Sequence, residues 1–170
     1  MWHHPGRDEC APYYQDVIRL VPEGHLVKTA VAEMVALRRL LEGVGDEAAS
    51  RGYAPGKWSI KETVGHVADV ERIMAVRALC FARGEQAPFP GMDQDPYAAM
   101  AAHGKRSLPS LLDELESVRG ATVSLMRSFG PEELARTGTA SGFGFTVRAL
   151  CFHTVGHAIH HRRIIASRYL

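Results

Sequence analysis

Four of the chain's nine histidines fall within one short run, Phe152-His153-Thr154-Val155-Gly156-His157-Ala158-Ile159-His160-His161-Arg162. On a helix, residues four apart share a face, one turn above another. His153, His157 and His161 therefore form a stripe, with His160 beside it. Imidazole is the commonest metal ligand, and rings at i and i+4 can point at one ion. A packed core has little use for so many polar rings. A metal centre built partly from this segment is the chemistry that the spacing points to. The ordinary fate of a helical histidine is a solvated or hydrogen-bonded side chain, so a third ligand elsewhere in the chain decides between the two readings.

The segment Val64-Gly65-His66 echoes Val155-Gly156-His157. Glycine inside a helix costs ~1 kcal/mol against alanine, so both glycines ask for a reason. Beside an inward histidine, a glycine lets neighbouring helices approach until both rings reach one ion. His66 lies one turn after Glu62 and three residues before Asp69. Those carboxylates flank its face as acceptors for an imidazole N–H or for metal-bound water, although Glu62 also fits a helix cap. Within the C-terminal stripe, His153 and His161 are separated by ~12 Å of helical rise and cannot share an ion. The pair is either His153 with His157 or His157 with His161; His157 is common to both.

These residues need helices to position them, and four long helical patterns are present with no convincing strand. The first runs from about His25 to Glu42, with Leu26, Ala30, Met34, Leu37 and Leu41 at helical spacing. The second starts at Ser59-Ile60-Lys61-Glu62, a capping box in which hydroxyl and carboxylate each satisfy a free backbone N–H; its apolar face continues to about Ala82. Ser107 caps a third, to about Phe129, and Thr146 a fourth that runs to the terminus. Short helical turns are expected at Tyr97 to His103 and Pro131 to Leu134, and the Gly138 to Gly144 stretch reads as a loop. The long loop from Glu85 to about Pro96 has the length of a lid or packing strap. The expected architecture is all-α, a four-helix bundle with long crossover loops.

Composition narrows the function classes. With 170 residues, 46% of them hydrophobic, the chain suits one domain over residues 1–170, with 1–22 as an N-terminal arm. Its net charge of +1 and dispersed basic residues argue against nucleic acid as a partner. Cys10, Cys80 and Cys151 form no C-x-x-C pair, so neither a zinc knuckle nor a thioredoxin-like motif is supported. Without an apolar leader or a membrane-length apolar run, the expected compartment is the cytoplasm, with no membrane partner.

The run Tyr53-Ala54-Pro55-Gly56-Lys57-Trp58-Ser59-Ile60-Lys61-Glu62-Thr63-Val64-Gly65-His66-Val67-Ala68-Asp69 resembles the DinB/YfiT-like family, as does Gly156-His157-Ala158-Ile159-His160-His161-Arg162. The likeness also touches Arg77 to Gly84, the Pro88 to Tyr97 loop and the closing Arg168-Tyr169-Leu170. In that family a Trp-Ser helix start leads to a first metal histidine, and a C-terminal H-x-x-x-H-R motif supplies two more. The resemblance thus implies His66, His157 and His161 as ligands of a divalent ion, nickel or zinc. It implies a bundle that is often dimeric, and activity as a metal-dependent hydrolase or a transferase using a low-molecular-weight thiol. Arg163-Ile164 departs from the Gly-Gln that many relatives carry after the His-Arg pair.

Three imidazoles around such an ion leave positions for water or a small-molecule substrate. A general base is then needed, for which Asp69 and His160 are the candidates, with Glu62 a further one. Arg77 and the Asp93–Asp95 loop are candidates for the pocket wall. The competing function is a non-catalytic metal- or ligand-binding bundle of a stress response. A di-iron carboxylate centre is disfavoured because no Glu-x-x-His occurs, and the absence of H-E-x-x-H sets aside metzincin-like peptidases.

Overall fold

Each of the four long periodic segments becomes a helix, and three of them start at a capping side chain. The computed structural model describes residues 2–170. Short α1 (Pro12–Ile18) precedes α2 (Leu26–Leu40) and a single turn, α3 (Asp46–Ala49). Then come α4 (Ile60–Ala82), α5 (Gln94–Ala101), a 3-10 turn at His103–Lys105, α6 (Leu108–Arg127) and α7 (Pro131–Ala135). Strands β1 (Thr137–Ala140) and β2 (Phe143–Thr146) form a hairpin that leads into α8 (Val147–Arg168). Helices α2, α4, α6 and α8 make an all-α four-helix bundle.

The caps explain the starts. At α4 the Ser59 side chain accepts from the Glu62 N–H while the Glu62 carboxylate accepts from the Ser59 N–H, an arrangement whose loss costs about 1 kcal/mol. Ser107 and Thr146 accept the N–H of Ser110 and Ala149 in the same manner. Every residue from Ala149 to Gly156 is buried, so α8 is the central helix and lacks the polar stripe of an outer one.

The Gly138 to Gly144 stretch is a hairpin, where a loop was expected. Thr137 pairs with Thr146 and Ala140 with Phe143. Ser141 and Gly142 turn the chain with φ of 55° and 81°, the doubly positive conformation that suits a two-residue hairpin turn. Gly138 serves packing: a Cβ there would lie 2.2 Å from the Phe81 ring. Phe89 joins this hairpin, donating its N–H to Thr139 and accepting from Ser141, which fastens the long Glu85 to Pro96 loop across the bundle.

Buried apolar residues form two clusters. One, at the hairpin end, gathers around Phe81, Met126, Phe145, Leu150 and Phe152. The smaller, at the other end, gathers around Ile60, Val64, Leu111, Leu115 and Ile165. Along the helices the change from one to the other falls at charged residues. Glu71 of α4 meets Arg119 of α6 at 2.8 Å, and Glu33 of α2 meets Arg162 of α8. Removing one member of a buried pair such as Glu71–Arg119 costs about 3–5 kcal/mol, because the other charge is stranded.

Gly65 and Gly156 do create close approaches, but not between α4 and α8 as their sequence echo suggests. A Cβ at Gly156 would lie 2.2 Å from the Val17 carbonyl oxygen, so this glycine seats α1 against α8. At Gly65 it would lie 2.3 Å from the His103 ring. The N-terminal arm is thereby part of the packed fold. Among the described residues, no helix is long and apolar enough to cross a membrane.

Candidate metal centre

The smaller apolar cluster sits beneath a group of three imidazoles. Helix α4 delivers His66 from its second turn, and α8 delivers His157 and His161 on adjacent turns. One nitrogen from each ring lies within 4.8 Å of the other two. The Nε2 of His157 is 3.2 Å from that of His66 and 3.1 Å from that of His161. Of the two spacings open from sequence, the helix places the His157–His161 pair beside His66.

Several contacts hold these rings in place. The Trp58 ring tilts against His66 with centroids 4.7 Å apart, and the Tyr169 hydroxyl donates to the Trp58 carbonyl. Buried Lys61 donates to Asp46, fixing the first turn of α4 from below. Arg162, directly after His161, pairs with Glu33 and so sets the rotation of α8 against α2.

Burial governs the electrostatics. It pushes His66 down to about 4 and His161 down to about 3, with the neighbouring imidazoles adding to the effect. His157 falls well below its ordinary value for the same reasons, burial first. All three rings are therefore neutral at pH 7, and each neutral ring has one nitrogen with a free lone pair. Three converging Nε2 atoms cannot satisfy one another: a proton on His157 Nε2 serves one neighbour well and leaves the other facing a donor already committed. A shared cation resolves that conflict. Metal–nitrogen bonds of about 2.0–2.1 Å at a tetrahedral angle put donors roughly 3.3 Å apart, close to the 3.2 and 3.1 Å that separate His157 from its two neighbours. The donor set fits a divalent metal ion that accepts imidazole nitrogen.

The remaining predicted residues lie around this trio. His153 is buried one turn before His157, stacked on its ring at 5.7 Å and crossed by Tyr14 at 5.3 Å. It lies outside the convergent group. His160 is exposed, with its ring edge-on to His161 at 5.1 Å. Neither flanking carboxylate hydrogen-bonds to His66. Glu62 is engaged with Ser59, whereas Asp69 accepts from His103 Nε2 at 3.0 Å and lies 3.5 Å from Arg72. Sequence reasoning missed His103. Its ring is buried against Gly65, and that helix-interior glycine was the one signal of a close neighbour.

Beside His161 a cleft of about 320 Å³ opens, lined by Tyr53, Lys57, Trp58, Gln94, Asp95 and Tyr169 among others. Asp95 comes from the acidic loop expected at the pocket wall, and its charge opposes the lowering of the His66 pKa. The expected Arg77 lines a different cavity.

A model of the DinB superfamily matches residues 32–165 of the chain. Among solved structures, the fold is similar to that of YfiT from Bacillus subtilis, described as a probable metal-dependent hydrolase with an unusual four-helix bundle topology. The TM-score is 0.70 at 18% identity, over 94% of this chain and 88% of YfiT. No curated protein matches the chain.

Proposed function

The chain belongs to the DinB superfamily, and from that premise we propose that it holds one divalent ion, nickel or zinc, on His66, His157 and His161. Its proposed reaction is hydrolysis of a small molecule, or transfer involving a low-molecular-weight thiol. The observation that carries this reading is the convergence of three neutral Nε2 atoms, one of them on His161, which also lines an open cleft. Bound there, the ion supplies Lewis acidity at coordination positions the protein leaves free.

The chain's own residues do the rest. Trp58, Ile164 and Tyr169 give the cleft an aromatic and apolar wall, while Lys57, Gln94 and Asp95 offer polar groups to orient a substrate. Of the two candidate proton carriers, Asp69 is the one we favour. It stands on α4 close enough to His66 for its charge to favour protonation of that ring, and His103 holds its Oδ2 in position. His160, exposed beside His161, suits exchange of a proton with solvent at the rim. The cytoplasm as compartment and a homodimer as assembly belong to the same proposal and rest on the sequence reading.

Purified protein should carry close to one divalent ion per chain, and His66→Ala and His157→Ala should each lose most of it, as measured by elemental analysis. Full retention in both variants would end the three-histidine model. Turnover of ester, amide and thiol-conjugate panels that vanishes in His66→Ala supports an enzyme. Stoichiometric metal without such turnover favours the non-catalytic binding bundle.

A further inference from the structure

Three cationic side chains are buried among the described residues: Lys61, Arg77 and Arg119. Lys61 meets Asp46 and Arg119 meets Glu71. Arg77, only 3% exposed, has no carboxylate at salt-bridge distance among the described residues. Its Nη2 donates to the Pro90 carbonyl at 2.7 Å and its Nη1 approaches the Met74 sulfur at 3.8 Å. Both partners are neutral. A guanidinium has five N–H donors and stays charged in proteins, so burying it without a counter-charge is expensive.

Strapping down the loop does not account for that cost. Phe89, next to Pro90, is already held to the hairpin by two backbone hydrogen bonds. A neutral donor at position 77 would serve the Pro90 carbonyl as well.

Arg77 also lines a cavity of about 280 Å³ between α4 and the Phe89–Met92 segment, as does Pro90, the residue its Nη2 contacts. Ile73, Val76, Phe89, Met92 and Tyr97 give this cavity apolar and aromatic walls, and no acidic residue lines it. Arg72 stands there too, but its charge is directed to Glu114 at 2.6 Å and to Asp69. The nearby groups supply no anion either. Tyr14 and Tyr97 are phenols, and His153 is an imidazole, which is neutral or cationic and never an anion.

We propose that Arg77 and this cavity form a second binding site, separate from the histidine trio, for a small organic anion that carries a carboxylate on an apolar body. The planar fork of the guanidinium matches a carboxylate through two parallel N–H···O bonds. The walls would bury the body, as in pockets where apolar lining surrounds a few oriented polar groups. Arg77 lies eleven residues beyond His66 on α4, ~16 Å of helical rise. The site stands whether or not the trio holds a metal.

Titration followed by ¹H–¹⁵N NMR tests this, with benzoate, its uncharged counterpart benzyl alcohol, and inorganic phosphate as probes of the intact protein. Benzoate should shift the Gly91 and Met92 amides and the Arg77 Nε–H, and bind about tenfold or more tighter than benzyl alcohol. Phosphate should bind more weakly than benzoate. Arg77→Lys keeps the charge without the fork and should lose about tenfold or more. Val76→Trp, at a half-exposed wall position, should block benzoate while leaving the Arg77–Pro90 bond intact. Equal binding of benzoate and benzyl alcohol would overturn the anion assignment. Phosphate binding as tight as benzoate would overturn the apolar-body assignment. Benzoate shifts confined to the His157 region, or unchanged by Val76→Trp, would overturn the site itself.

Discussion

Helix α8 carries histidine at positions 153, 157 and 161, yet its two ends meet different surroundings. At the first, Gly156 admits the backbone of α1, and Tyr14 from that helix covers His153. The ring is 6% exposed and its Nδ1 has no hydrogen-bond partner. At the other end His161 lines an open cleft, with its nitrogen turned to His157. A helical repeat aligns side chains on one face. What packs against that face decides which of them stay available to a ligand.

The largest test of this contrast is a pair of substitutions. His161→Ala should weaken metal affinity by more than the about 10–100-fold typical of losing an outer partner of a metal ligand. His153→Ala should change it by less than about tenfold and instead cost about 1–3 kcal/mol of stability, as a truncated buried side chain does. Competition against a chromophoric chelator and urea denaturation give the two quantities. A reversed order would move the ligand pair one turn earlier along α8.

Acid should separate the covered histidine next. The His153 ring titrates at about 4 when folded against an ordinary 6.5. Between those values the unfolded chain binds more protons, so stability rises with pH. The contribution is complete above about pH 6.5 and is lost as pH falls through about 4. At roughly 1.4 kcal/mol per unit, this amounts to about 3 kcal/mol. In metal-free protein, His153→Phe should remove that part of the pH dependence of urea stability. A profile unchanged by the substitution would mean that the buried ring accepts a proton as readily as a free one.

The smallest effect probes the cover itself. Gly156→Ala should cost about 1–3 kcal/mol, since α1 must retreat to admit a methyl group. Gly120→Ala, on α6 with no atom near its missing Cβ, should instead stabilise by about 0.4–1 kcal/mol. Thermal unfolding of the two variants measures the difference. Equal shifts would show that α1 does not depend on the notch at position 156.

Much of this arrangement is legible in local chemistry. Ser59, Ser107 and Thr146 announce their helices because an N-cap is written within four residues. The His157–His161 spacing announces a shared face for the same reason. The hairpin escaped because Gly138, Gly142 and Gly144 have the composition of a loop, while β1 is held by Phe81, Phe89 and β2. His103 escaped because its partner Asp69 is 34 residues away and no periodicity links them. Long-range polar pairs such as Glu71–Arg119 leave no local trace either. An acidic residue on one amphipathic helix reads as solvated until another helix supplies its cation.

The charged residues that divide the apolar interior also allow its two parts to open separately. Where two clusters meet through ion pairs instead of shared apolar contacts, their opening free energies need not be equal. Amide hydrogens of α8 from Leu150 to Val155 should therefore exchange with the opening of the larger cluster. Those around Ile165 answer to the smaller. One unbroken helix should thereby report two separate openings, with His161 on the side of the smaller cluster.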